Sequence, residues 1–237
     1  MNIMIRKDQF VSGEYYHVYS RTILNIPEFE NYENANKLTQ CFLLANSTES
    51  SKAFDYLRNY KNVSLRKAVD IAWRGDKLVD VVAYSIMPNH YHLLVKELTE
   101  GGISTFLRKS NISIAKYINT KQERKGSLFE SNFKAKHIDS NNYLLHLSLY
   151  IHLNPLDFID SKDWRGGNLK SWNLKKKELI KYPWSSLKSY LQDDFEDLIL
   201  SGTEIITDQF RGKKDYEKFL REWSEIDLEK IRDIVLD

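Results

Sequence analysis

The chain contains one stretch with a clear strand pattern, and this stretch limits the folds that are available to it. The run from Lys77 to Met87 holds the apolar residues of a buried strand. Met87-Pro88-Asn89-His90 then interrupts the run, because proline lacks the N–H that a sheet requires and asparagine favours a turn. The strand pattern resumes from Tyr91 to Lys96. These residues predict a hairpin of two antiparallel strands.

The other patterns surround this hairpin in an informative order. The further predicted elements are a strand at 14–22, a helix at 33–45, a loop at 46–51, a helix at 103–118, a strand at 127–138 and a helix at 141–153. This order matches the βαββαβ plan of ferredoxin-like folds, an α+β core whose antiparallel sheet carries helices on one face. The helix at 141–153 is an addition to that plan, and helical patterns at 65–73, 185–191 and 214–223 predict accessory helices.

Composition excludes several classes of protein but indicates no partner. The 237 residues are 42% hydrophobic and 13% aromatic, which is enough for a core and excludes a disordered chain. No apolar run reaches the length of a membrane span and no signal-peptide pattern opens the chain, so we expect a cytoplasmic protein. The single Cys41 excludes an internal disulfide and a cysteine-based zinc site. The formal net charge of +2 says little about binding.

His90-Tyr91-His92 is the sharpest chemical feature of the sequence. Residues two apart on a strand point to the same face, so the two imidazoles are expected side by side. Such a pair can hold a divalent metal, and without cysteine the site needs oxygen ligands to complete it. An arbitrary His-x-His is more often two polar residues on a solvated strand face. Here the apolar Leu93-Leu94-Val95 follows, which favours a fixed site within the sheet.

A second feature is a polar row on the apolar helix at 141–153. His146, Tyr150 and Asn154 are four residues apart and share one side of a helix that is otherwise apolar and is expected to be buried. Buried polar groups need partners, either in a hydrogen-bond network or in a site. Taken singly, Tyr150 is more often a core aromatic, and Asn154 can be a helix C-cap before Pro155. Taken with the histidine pair, Tyr150 is a candidate nucleophile for a phosphodiester and Asn154 a candidate third ligand of Mg²⁺ or Mn²⁺.

Five strings in this order resemble the REP-associated tyrosine transposases, which are single-tyrosine HUH-type enzymes related to the small insertion-sequence transposases. The strings are YHVYSRT (16–22), MPNHYHLLV (87–95), GSLFESNFKAKHI (126–138), YIHLNP (150–155) and YPWSS (182–186). The resemblance implies that His90 and His92 are metal ligands, that Tyr150 is the nucleophile and that Asn154 completes the metal site. It implies cleavage and rejoining of hairpin-bearing single-stranded DNA through a 5′-phosphotyrosine link, with Mg²⁺ or Mn²⁺ as the cofactor.

The resemblance also suggests how the chain is divided. A catalytic domain at 10–160, with an insertion near 46–64, is expected to precede an accessory helical region at 161–237. His17 and His146 are expected to support the metal ligands from behind. The sequence departs from the family pattern where Asn132-Phe133 replaces an Arg-Phe pair and where Leu156 replaces a valine. These departures spare the catalytic residues but bear on DNA affinity and on the DNA element that is recognised.

Basic and aromatic side chains concentrate between Lys109 and Lys136, where seven basic residues stand against two acidic ones. Proteins hold single-stranded DNA in basic grooves with aromatic platforms, so this segment is a candidate DNA-binding surface. The alternative is that it forms an ordinary solvated helix face. The candidate DNA-binding residues are Arg21, Lys109, Lys116, Tyr117, Lys121, Arg124, Lys125, Phe133, Lys134 and Lys136. The YPWSS segment is expected to fix a tail helix on the core and not to touch DNA.

Two other functions fit the same fold. One is a domesticated site-specific nicking endonuclease, and the other is a non-catalytic regulator that binds DNA or RNA through its basic face. The complete set of His90, His92, Tyr150 and Asn154 favours catalysis, because a binding module has no need of a tyrosine row beside a metal pair. We expect the protein to act as a monomer or homodimer near the nucleoid, with no membrane partner.

Overall fold

The four strands of the described residues form one antiparallel sheet. The computed structural model describes residues 10–60, 64–159 and 171–224. The strands are β1 (Tyr15–Arg21), β2 (Val79–Met87), β3 (His90–Glu97) and β4 (Lys134–His137). Their order across the sheet is β2-β3-β1-β4, which is that of a ferredoxin-like βαββαβ core. The predicted α+β fold class is confirmed.

Helices lie on both faces of this sheet. They are α1 (Tyr32–Ala45), α2 (Ser50–Asn59), α3 (Leu65–Ala72), α4 (Gly102–Lys121), α5 (Asn141–Leu153), α6 (Leu156–Ile159), α7 (Trp172–Lys181), α8 (Leu187–Leu191), α9 (Glu204–Thr207) and α10 (Lys213–Ser224). Helices α1 and α4 cover one face, as expected for the βαββαβ core, and α5 covers the other. Within the described ranges, no helix is long and apolar enough to cross a membrane.

The first hydrophobic core fills the space between the sheet, α1 and α4. Phe42 of α1 lies 5.2 Å from Tyr91 of β3 and 5.8 Å from Phe106 of α4, measured between ring centroids. Burying each of these side chains stabilises the fold by about 1.5–3 kcal/mol. The Tyr91 hydroxyl donates to Oδ1 of Asn111 at 2.9 Å, so this hydroxyl is satisfied inside the core. Because Tyr91 points into this core, its neighbours His90 and His92 point to the opposite face.

The second hydrophobic core surrounds α5, which is buried as its apolar composition predicts. Val82 of β2 and Leu94 of β3 contribute to this core from the sheet. Leu187 of α8 and Leu220 of α10 contribute to it from the C-terminal helices, and both are fully buried. Helix α5 therefore lies between the sheet and the C-terminal helices.

The YPWSS segment covers the outer edge of β2. The N–H of Ile86 donates to the carbonyl of Trp184 at 2.9 Å, and the N–H of Ser186 donates to the carbonyl of Tyr84 at 3.0 Å. The Tyr182 hydroxyl donates to the carbonyl of Ile86. These bonds hold the segment on the core, as expected, and satisfy edge groups that would otherwise be open to pairing with another strand.

Two segments differ from the sequence prediction. The strand predicted at 127–138 is shortened to β4, because Leu128 and Phe129 leave the strand path to bury their side chains and to bond with the residues after β1. The predicted loop at 46–51 ends early, because α2 begins at Ser50, and α2 packs with α3. Residues 160–170 and 225–237, which include the predicted boundary near 160, lie outside the described residues.

Candidate active site

Strand register brings the predicted histidines to the face of the sheet that α5 covers. Strands β1 and β3 pair antiparallel, with Tyr19 opposite His92 and Arg21 opposite His90. Residues opposite each other in such a pair point to the same face. His17 precedes Tyr19 by two residues on β1 and therefore shares this face as well.

The two metal-ligand candidates stand side by side at the start of β3. The ring centroids of His90 and His92 are 4.9 Å apart and the ring planes are almost perpendicular, at 88°. Nδ1 of His90 lies 2.6 Å from Oδ1 of Asn89, while the amide nitrogen of Asn89 faces the carbonyl of Asn25. Because an amide oxygen only accepts, His90 carries its proton on Nδ1. Its lone pair is therefore on Nε2, as ligation of a metal through that atom requires.

His92 has a comparable neighbour on β1. Its Nδ1 lies 2.9 Å from Nε2 of His17, and the two rings are tilted by only 23°. His17 is 1% exposed, and its burial, together with the charge of Lys136, lowers its pKa to about 3. A neutral His17 can accept a hydrogen bond from Nδ1–H of His92, which would direct the lone pair of His92 to Nε2. His17 thus lies next to His92 on the neighbouring strand.

Helix α5 brings the candidate nucleophile to the same place. Ser140 caps the helix by accepting from the N–H of Tyr143 at 3.3 Å. The ring of Tyr150 stands edge-on to His92, with 5.4 Å between centroids and 84° between planes, and is 7% exposed. Asn154 forms the C-cap of the helix, is fully buried and donates its N–H to the carbonyl of Tyr150 at 3.0 Å. One helical turn therefore separates the tyrosine from the asparagine.

The donor atoms, two imidazole nitrogens and one amide oxygen, fit a divalent transition metal such as Mn²⁺ better than a purely oxygen-seeking cation such as Mg²⁺. In the described part of the chain, no group of three or more His, Cys, Asp or Glu side chains is arranged to hold a metal. A site here would depend on the imidazoles of His90 and His92 and on the amide oxygen of Asn154. Mg²⁺ and Mn²⁺ accept such a partial protein shell and fill the other positions with water and substrate oxygens. The hydrogen-bond partners on Nδ1 of each histidine support this fit.

His146, the third member of the polar row, packs against an accessory helix. Its ring centroid lies 4.1 Å from that of Trp223 in α10, and burial lowers its pKa. Four residues advance a helix by about 6 Å along its axis and by roughly 40° beyond one full turn, so the row drifts around α5 as it rises. His146 thus contacts α10, and Tyr150, one turn further along the helix, contacts His92.

Part of the predicted DNA-binding set shares the face of the candidate active site. Lys134 and Lys136 of β4 lie opposite Tyr19 and His17 of β1, respectively. Arg21 lies at the end of β1, opposite His90. These three cations therefore border the face on which the histidines and Tyr150 meet.

The rest of that set is placed elsewhere. Lys109, Lys116, Tyr117 and Lys121 are on α4, which covers the other face of the sheet, and Arg124 and Lys125 are in the turn that follows α4. Lys121 pairs with Glu33, and Arg124 pairs with Glu28 at 3.1 Å. Phe133 packs against the first core and stacks on Phe10, with 6.1 Å between ring centroids. The basic segment of the sequence is thus divided by the sheet.

Sequence reasoning missed two residues at this site. The sequence pattern indicates only a turn at Asn89, although this residue directly precedes His90 and its side chain bonds to that histidine. Tyr19 received no role, although its ring lies 5.7 Å from that of His92. A usable signal for Tyr19 was its i+2 spacing from His17 on a predicted strand, which puts both on one face.

Comparison with known proteins links this arrangement to transposases. Residues 56–154 match the family model described as IS200-like transposase, a range that includes the histidine pair, Tyr150 and Asn154. No curated protein matches. A solved structure of a REP-associated tyrosine transposase bound to a REP hairpin is similar at a TM-score of 0.50 and 11% sequence identity, covering 84% of this chain and 92% of that one. The predicted resemblance to this group is confirmed, and the solved structure supports the α+β fold.

Proposed function

We propose that this protein is a metal-dependent transposase that cleaves and rejoins single-stranded DNA beside hairpins. The observation that carries the proposal is the meeting of Tyr150 with the histidine pair, at 5.4 Å between the ring centroids of Tyr150 and His92. Support also comes from the family match over residues 56–154 and from the solved relative, which is itself bound to a REP hairpin.

In this proposal a divalent metal would be held by His90 and His92, each through Nε2, and by the amide oxygen of Asn154. When bound, Mg²⁺ or Mn²⁺ would polarise the phosphodiester and offset negative charge in the transition state. Asn89 and His17 keep the two imidazoles in the orientation and tautomer that ligation needs. Helix α5 fixes Tyr150 and Asn154 one turn apart, so the attacking oxygen and the third ligand move as one body.

Tyr150 acts as the nucleophile in an exchange of one phosphodiester for another. The bond from Oη of Tyr150 to phosphorus forms as the bond from phosphorus to the 3′ oxygen breaks. The tyrosine gives up its hydroxyl proton and the departing 3′ oxygen gains one, leaving a 5′-phosphotyrosine and a free 3′-OH. Attack by a second 3′-OH reverses the step and joins strands, so no nucleoside triphosphate is consumed.

We assign the cations on the same face of the sheet to binding of the DNA backbone. Lys134, Lys136 and Arg21 border the site through their register with β1 and β3. Such cations neutralise phosphates and give binding that weakens as salt increases. The cations on and after α4 are not assigned to the scissile strand, because α4 covers the other face of the sheet.

The test is formation of a covalent protein–DNA adduct. Wild type is incubated with Mn²⁺ or Mg²⁺ and with single-stranded hairpins from the DNA that flanks its own gene, and adducts are resolved by denaturing electrophoresis. Tyr150→Phe should form no adduct, whereas Tyr143→Phe, which changes a buried tyrosine of the same helix, should form it normally. His90→Ala should abolish cleavage while most DNA binding remains.

The outcomes separate the alternatives. No adduct on any flanking hairpin, together with tight binding, would favour a non-catalytic regulator. Cleavage without rejoining would favour a domesticated nicking endonuclease. An adduct that Tyr150→Phe forms as well as wild type would contradict the proposed nucleophile.

A further inference from the structure

Tyr19 occupies the centre of a row of side chains that crosses the sheet beside the candidate active site. It lies opposite His92 of β3 on one side and opposite Lys134 of β4 on the other. All three side chains point to the same face, because directly opposed strand residues do so. The row therefore leads from a proposed metal ligand, across an aromatic ring, to a cation at the border of the sheet.

The surroundings of the Tyr19 ring differ from those of a core aromatic. The ring is half-buried, whereas His17 and His92 next to it are buried at 1% and 4% exposure. Its centroid lies 5.1 Å from that of His17 and 5.7 Å from that of His92, and Nζ of Lys134 lies 5.8 Å from it. Among the described residues, neither hydrophobic core includes this ring. Core packing therefore does not account for a large aromatic at this position.

Tyr15 provides an internal comparison. It lies on the same strand and the same face, is also half-buried, and also has a lysine above its ring, with Nζ of Lys96 at 5.4 Å. However, Tyr15 packs against the second hydrophobic core and lies opposite Lys96, away from the histidine pair. The two tyrosines thus differ in two respects: Tyr15 packs against the second core, and Tyr19 lies next to the histidine pair.

The chemistry of this row suits an unpaired nucleotide. Proteins hold single-stranded nucleic acid by stacking bases on aromatic rings, while neighbouring cations bind the phosphates. A partly exposed ring beside a proposed metal ligand and next to a lysine offers both contacts to one nucleotide. Duplex DNA would not use the ring in this way, because its bases are already stacked on each other.

We propose that the ring of Tyr19 is the stacking surface for the unpaired base next to the phosphate that Tyr150 attacks, with Lys134 binding the backbone of the same nucleotide. The inference rests on the proposed function for the position of the scissile phosphate. Tyr19 thus has a positioning role: stacking on its ring holds the substrate strand and selects single-stranded over duplex DNA at the point of cleavage.

The test measures binding and cleavage separately. Binding of a fluorescein-labelled hairpin oligonucleotide with unpaired flanks is followed by anisotropy in the Tyr150→Phe background, so that no strand is cut. Tyr19→Leu should weaken binding by about 5- to 150-fold, the range expected for loss of one base stack. Tyr19→Phe keeps the ring and should recover most of that loss. Tyr15→Leu, the matched control, should bind like its parent.

A scan with abasic nucleotides locates the stacked base. At one position, an abasic nucleotide should weaken binding by the Tyr150→Phe parent as much as Tyr19→Leu weakens binding of the intact oligonucleotide. At that position, the abasic nucleotide should not weaken binding by the Tyr19→Leu variant any further. That position should adjoin the bond that wild type cuts. The proposal is overturned if no position behaves in this way, if the position lies away from the cut, or if Tyr19→Phe loses as much as Tyr19→Leu. Failure of wild type to form any adduct is a separate result, which counts against the proposed function. The binding measurements would then still test the role of Tyr19.

Discussion

Asn89→Ala should weaken metal binding without unfolding the protein. Oδ1 of Asn89 accepts from Nδ1–H of His90 at 2.6 Å, so alanine removes the group that fixes the tautomer and orientation of this imidazole. The carbonyl of residue 89, which accepts from the N–H of Thr22 at 2.8 Å, is unaffected. Asn89 is not among the residues with positive φ, so alanine can occupy the turn without strain.

The size of the effect follows from the exposure of Asn89. Loss of the partner behind a metal-bound histidine typically lowers metal affinity by about 10- to 100-fold. Asn89 is only partly buried, so water can replace part of the lost hydrogen bond. We therefore expect a loss near the lower limit, about 10-fold or ~1.4 kcal/mol. Asn89→Asp is the matched control, because its carboxylate still accepts from His90 and does so more strongly.

Calorimetric titration with Mn²⁺, in the absence of DNA, measures this affinity directly. The three proteins should melt at similar temperatures by circular dichroism, which shows that any change is local to the site. Asn89→Asp should bind Mn²⁺ at least as tightly as wild type. Wild-type affinity in Asn89→Ala would refute the assignment of Asn89 as the partner of a metal-bound His90.

Three further predictions concern DNA binding and stability. Lys134→Ala and Lys136→Ala should each reduce the slope of log affinity against log salt by about 0.7 for single-stranded DNA; a larger change for Lys116→Ala would assign the strand to the other face. Burial lowers the pKa of His152 to about 3, below the value near 6.5 of an unfolded chain, so the stability it contributes is complete above pH 6.5. That stability falls by up to about 1.4 kcal/mol per pH unit as pH drops toward 3. Between pH 7 and pH 5, the free energy of unfolding in urea should therefore fall less for His152→Phe than for wild type. An equal fall in the two proteins would contradict this prediction. Glu97 accepts from the N–H groups of Gly102 and Ile103, the first residues of α4, at 3.0 and 2.7 Å. Glu97→Gln should therefore lower the free energy of unfolding in urea by about 1.5–3 kcal/mol, and an unchanged midpoint would contradict a stabilising role of these two bonds.

The fold was largely predictable because its main elements carry strong local patterns. The hairpin of β2 and β3 follows from an apolar run broken by Pro88, and α5 has the predicted bounds of Asn141–Leu153. The strand at 127–138 was overestimated for a physical reason. Leu128 and Phe129 are apolar because they are buried from a loop, and a sequence pattern does not distinguish that burial from burial within a strand.

The candidate site was predictable where it depends on spacing within one element. His90 and His92 share a face because they are two apart on a strand, and their rings lie 4.9 Å apart. The division of the basic segment was not predictable in the same way. Lys116 and Lys134 are close in sequence, but the first is on α4 and the second on β4, so the sheet lies between α4 and the face that Lys134 borders. Net charge along the chain carries no information about this separation.

The orientation of α5 explains why the C-terminal helices matter to the site. Two residues advance a helix by roughly 200°, so Tyr150 and His152 point in nearly opposite directions. While Tyr150 faces His92, His152 is fully buried and has both ring nitrogens bonded, to Oη of Tyr216 at 2.7 Å and to Oγ of Ser186 at 2.8 Å. Oγ of Ser186 also accepts from the N–H of Tyr84 in β2 at 2.9 Å. Rotation of α5 would break these bonds, so α10, the YPWSS segment and the edge of β2 together fix the direction in which Tyr150 points.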